Sequence, residues 1–124
     1  LVNHLSHKST LDGSKVPVNP KFISEMLSNY RTVSQDKLSF KIPSKSAELS
    51  HLVARGVFDY NGIFKQYYKQ KIFSLWSEMS EKEKKKTESL LEYIFFDASD
   101  LVINSIKEKK LDTLKSNLKS YKEY

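Results

Sequence analysis

The 124-residue chain has no cysteine, and only three glycines and three prolines. Without thiols there is no disulfide scaffold, no Cys-type zinc site and no thiol nucleophile, which fits a reducing compartment. Gly13, Gly56 and Gly62 stand too far apart to form a phosphate-cradling loop. No apolar run approaches the ~18–20 residues that span a bilayer; the best, "YIFF" at 93–96, is only four long. After Gly62 there is neither Gly nor Pro, so nothing punctuates the second half and it is expected to be helical. The chain opens on Leu1 rather than Met, which reads as a fragment or a processed product.

What is present is enough for one folded domain. Hydrophobic residues make up 39% of the chain and aromatic residues 12%. Seven Phe, seven Tyr and one Trp can fill a core, which excludes global disorder. The net charge is +6, a balance that favours anionic partners. The excess is evenly spread. Residues 1–62 carry 8 basic and 5 acidic side chains, and residues 63–124 carry 13 and 10, so no basic tail stands apart.

Residues 1–18 have no apolar period and are read as an extended, polar leader. If ordered, such a tail must lie on a surface, because it has no core of its own. Residues 19–124 are read as a single helical domain. Asn19 and Pro20 suit the cap and first position of a helix carrying Phe22, Ile23, Met26, Leu27 and Tyr30 on one stripe. Leu38, Phe40 and Ile42 alternate with polar residues, but this strand-like stretch has no obvious partner, so an extended packed segment is expected. A short helix is expected from Ser46 to Arg55, with Gly56 as its C-terminal cap.

The clearest elements come next. A helix over about 61–79 presents Phe64, Tyr67, Tyr68, Ile72, Phe73, Leu75 and Trp76 at helical spacing. "SEKE" then matches a capping box, with Ser80 and Glu83 each bonding the other's backbone N–H. The following helix, about 81–106, carries Leu90, Leu91, Ile94, Phe95, Ala98, Leu101, Val102 and Ile106. The expectation is thus an all-α fold of four to five helices around a central antiparallel helical hairpin. A last stretch, capped by Asp112 or continuous with the helix before it, carries Leu111, Leu114, Leu118 and Tyr121.

No catalytic grouping emerges, and the reading is not that of an enzyme. His4, His7 and His51 have neither a cysteine nor a nearby carboxylate pair to complete a metal set. Asp97 and Asp100 share a helix face but lack a partner geometry for acid–base chemistry. No cofactor and no metal is expected. The candidate nucleic-acid-binding residues are Lys82, Lys84, Lys85, Lys86, Lys109 and Lys110, whose natural use is phosphate contact without base readout. The candidate partner-binding residues are Tyr60, Tyr67 and Tyr68, aromatics beyond the needs of a core.

The string "LWSEMSEKEKK" resembles the junction between the second and third helices of HMG boxes, and the resemblance implies a DNA-binding helical domain. Thr87 stands where those boxes usually have an aromatic. The same string is similar to a helix junction in acyl-CoA-binding proteins, whose ligand groups have no counterpart here. The leading expectation is a non-catalytic structural subunit of a larger assembly, a ribonucleoprotein of ribosomal or organellar-ribosomal type. Its partners would be RNA and other subunits, with no membrane span. The alternative is a helical protein–protein adaptor without nucleic acid. The expected location is intracellular, the mitochondrion first and otherwise the cytoplasm or nucleus.

Overall fold

The computed structural model describes residues 7–9, 15–17, 24, 30–58 and 63–118. They form two small antiparallel β ladders and a mostly helical body. β1 (His7–Ser9) pairs with β2 (Lys15–Pro17), with Lys8 opposite Val16. The expected leader therefore contains a short ladder. β3 (Tyr30–Gln35) and β4 (Leu38–Pro43) form the second ladder. Of the helix expected over 19–31, Ser24, Tyr30 and Arg31 are described, and of these Ser24 is helical. Tyr30 and Arg31, expected at that helix's end, instead begin β3.

The stretch 38–43, which lacked a partner in the sequence reading, is half of a hairpin. Gln35 lies opposite Leu38, so the loop is the two residues Asp36 and Lys37. Both have positive φ, 51° and 66°. That is the primed turn whose twist suits paired strands. It is usually marked by Asn-Gly or Asp-Gly, and here Lys37 takes the glycine's place.

Helix α1 (Lys45–Phe58) starts where Ser44 Oγ accepts the Ala47 N–H at 3.1 Å, a serine cap. Ser46, Ala47, Leu49, Ser50, Val53, Ala54, Gly56 and Val57 are all buried. Most are small, so neighbours approach closely. α1 packs against β4, α2 (Gln66–Glu78) and α3 (Glu81–Phe95). Each arm of the expected hairpin thus rests on a helix that looked minor in the sequence. Gly56 does not end α1; the helix runs two residues further. Its glycine is needed because a Cβ there would collide with the Phe64 ring.

Two further differences concern helix ends. α2 begins at Gln66; Ile63–Lys65 lie outside the helix, and Lys65 is extended. The helix expected over 81–106 breaks at Phe96, whose φ is 49°. A 3-10 turn (Phe96–Ala98) leads into α4 (Ser99–Lys107). This re-aims the chain so that Val102, Ile103 and Ile106 bury and α4 reaches α2. α4 ends in a Schellman-type closure. The Lys110 N–H donates to Ser105 O at 2.8 Å, and the Lys109 N–H to Ile106 O at 3.2 Å. Lys109 takes the left-handed position, with φ 57°. A final helix, α5 (Leu114–Leu118), buries Leu114 and Leu118. Asp112, the cap in one of two readings of how this stretch starts, accepts from Lys69 Nζ at 3.2 Å. Tyr121 lies outside the described residues.

Gly56→Ala sets two effects against each other. Helix propensity favours alanine by about 1 kcal/mol, whereas displacing a buried ring costs about 1–3 kcal/mol or more. The clash is expected to win, destabilising the domain by about 1 kcal/mol in denaturant unfolding. In a Phe64→Ala background the same change should become stabilising, because the ring is gone. Additive effects of the two substitutions would contradict the close approach.

Candidate nucleic-acid interface

The start of α3 is organised by its cap. Ser80 Oγ accepts the Glu83 N–H at 3.2 Å, and Glu83 Oε1 accepts the Ser80 N–H at 3.0 Å. Two of the helix's unpaired amides are thereby satisfied within the chain. The corner is tied to the core from beneath. Buried Ser46 Oγ donates to Glu83 O at 2.8 Å. Thr87 Oγ1 sits 2.9 Å from the same oxygen and 3.3 Å from Met79 Sδ. Thr87 is fully buried, so the position that is aromatic in HMG boxes is here a polar tie.

On this platform the lysines separate into two groups. Lys82, Lys85, Lys86 and Ser89 follow the i, i+3, i+4, i+7 spacing of one helix face. Together with Ser44, Ser46 and Glu83 they line an open groove of about 610 Å³. Lys82 and Lys85 are exposed there. Lys84 turns the other way. Its Nζ lies 5.3 Å from the Trp76 ring centre and 3.8 Å from Glu81 Oε1. Lys107 of α4 reaches the same ring at 6.0 Å. A second recess of about 370 Å³ is lined by Trp76, Glu81, Lys84, Lys85, Glu88 and Lys107. Each lysine over a ring is worth about 0.5–1 kcal/mol at an exposed site, so Trp76 helps to hold like charges near one another.

The structure therefore joins Lys107 to the α3 lysines, a contact that sequence spacing alone did not reveal. Lys109 and Lys110 are exposed and belong to the turn that closes α4. Neither lines the two grooves. His51 is half-buried in α1, and Asp97 and Asp100 are exposed. Among the described residues no group of three or more His, Cys, Asp or Glu could hold a metal ion.

The tyrosines also divide. Tyr60 lies outside the described residues. Tyr67 is 70% exposed and meets Tyr68 edge to face, with centroids 5.6 Å apart. Tyr68 is half-buried and lines a recess with Leu52, Arg55, Gly56, Ile63 and Phe64. That recess holds about 10 Å³, roughly the room of a single water.

Among the described residues, no helix is long and apolar enough to cross a membrane. No family model, curated protein or solved structure matches the chain.

The cap has an electrostatic signature. The Glu83 carboxylate is held below its ordinary pKa, first by the Ser80 backbone N–H. The Ser80 hydroxyl, Lys45 and Arg31 add to this against the opposing effect of desolvation. A carboxylate with a lowered folded-state pKa stabilises the fold fully above its unfolded value, about 4.3, and loses that contribution as pH falls through the folded value. Glu83→Gln should therefore be less stable than the parent at neutral pH, and the difference should shrink in acid. Thermal melts at pH 7 and below pH 4 check this. An unchanged difference would show that the carboxylate charge is not what stabilises the cap.

Proposed function

We propose that this chain is a non-catalytic structural subunit of a ribonucleoprotein assembly, of ribosomal or organellar-ribosomal type. It docks on RNA phosphates through the start of α3. The observation that carries this reading is the lysine stripe Lys82, Lys85 and Lys86 on an open groove, beside the Trp76 recess with Lys84 and Lys107. Several cations at a helix N-terminus oppose its dipole by about 0.3–1 kcal/mol each. Glu81 and Glu83 offset only part of that. An anionic polymer laid in the groove would relieve the remainder. Phosphate contacts of this kind position a subunit without reading sequence.

A protein contact at the other end of the molecule is favoured by a separate observation. Ile63 and Tyr67, before and within the first turn of α2, are each 70% exposed. A neighbouring subunit that covered them would bury an apolar side chain and an amphipathic one, the usual anchors of an interface. The adaptor reading and the subunit reading then describe two faces of one component.

Salt dependence tests the RNA reading. Three phosphate contacts to a single strand give a log–log slope of about −2. Replacing Lys82 and Lys85 together with alanine should weaken binding at low salt and reduce the slope by about 1.4. The Lys109→Ala, Lys110→Ala pair should change the slope less. RNA binding that ignores salt, or ignores the loss of Lys82 and Lys85, would contradict this use of the groove.

A further inference from the structure

The β3–β4 hairpin carries an apolar face that the described domain leaves open. Residues paired across an antiparallel ladder share a face. Val33 is paired with Phe40, and Arg31 with Ile42. Leu38 joins this face opposite Gln35. On the other face, beyond the Tyr30–Pro43 pair at the base, Thr32 with Lys41 and Ser34 with Ser39 are polar. At the base, Arg31 Nη2 reaches Glu48 Oε2 of α1 at 3.0 Å and Arg31 Nε donates to Pro43 O, which anchors the ladder to the body. Beyond the base, Val33 is 40% exposed, Phe40 48% and Leu38 61%.

We infer that this face stacks the unpaired bases of a single-stranded RNA whose phosphates lie in the lysine groove. The inference rests on the RNA reading of that groove and names the form of RNA it takes. Hairpin and groove are contiguous. Ser44, the residue after β4, is itself a groove residue. Phe40 stands four residues earlier, about 13 Å along an extended strand, a span that a few nucleotides of an open strand cross.

A single-stranded nucleic acid satisfies both surfaces at once, because it presents apolar base faces and anionic phosphates in alternation. A duplex would offer the phosphates only, its bases being stacked inside. A bilayer suits the hairpin less well. The tip that would enter first is Asp36–Lys37, while the apolar side chains sit on a flank.

The test compares binding of the full chain to a short fluorescent oligouridine, to an RNA duplex of equal length, and to vesicles of phosphatidylcholine with phosphatidylserine. Phe40→Leu keeps an apolar side chain but removes the aromatic face. It is expected to weaken oligouridine binding about tenfold while leaving duplex affinity and the salt slope unchanged. Phe40→Trp should retain the affinity and show fluorescence quenched on binding, beyond any change from Trp76 in the parent. Circular dichroism of both variants checks the fold, and the quenching of Phe40→Trp decides the matter if the leucine variant is unstable. Parental oligouridine affinity in Phe40→Leu, or an unquenched Phe40→Trp, would overturn the stacking role. If Lys82 and Lys85 still mattered, the groove reading would stand. Binding to neither RNA would remove both. Vesicle binding lost in Phe40→Asp, without a preference for oligouridine, would assign the face to a membrane and overturn the inference. Self-association lost in Phe40→Leu, without such a preference, would assign it to a second copy with the same consequence.

Discussion

Close packing of α1 against its neighbours is the constraint on which the rest of the molecule depends. Its buried face is built largely of Ser, Ala and Gly. Small side chains bring little burial of their own, so they matter through the proximity they allow. At one end, Gly56 admits the Phe64 ring and so fixes where α2 begins. At the other, Ser46 reaches the Glu83 carbonyl and fixes where α3 begins. Lys115 Nζ of α5, 3.4 Å from Val57 O, brings that helix onto α1 as well. The lysine groove lies over the Ser46 end. Its floor is therefore set by core packing, and its lysines project from a helix start that cannot drift.

Local signals were legible in the sequence when both partners lay within one turn. Ser80 and Glu83 are three residues apart, and the capping box they imply forms in full. Helical spacing also sets Lys82, Lys85 and Lys86 on one face, although the sequence reading kept Lys84 with them. The apolar residues of α3 were legible for the same reason, and all of Leu90, Leu91, Ile94 and Phe95 are buried.

What escaped the sequence depended on residues in unusual conformations or on contacts far along the chain. The hairpin turn uses Asp36–Lys37 where glycine is the usual marker, so β4 looked like an orphan. Phe96 and Lys109 also hold positive φ without a glycine to announce it, and the break in the long helix passed unseen. α1 looked short and minor because small residues score as weakly apolar, although they permit the closest packing. Lys107 joins the α3 lysines only through Trp76 of α2, and no spacing within one helix encodes that. Tyr67 and Tyr68 were read together with Tyr60 as interface anchors, yet adjacent helical positions do not share a face, and Tyr67 is exposed while Tyr68 is half-buried.

The functional account places recognition on a surface that stability alone would not select, with repelling cations gathered at a helix start and held by a cap and a tryptophan. The most direct test is amine-reactive footprinting of the lysines by mass spectrometry, with and without bound RNA. The account predicts protection centred on Lys82 and Lys85, extending to Lys107, with Lys65 at the far end of α2 unchanged. Uniform protection of all lysines, or protection centred on Lys65, would contradict it.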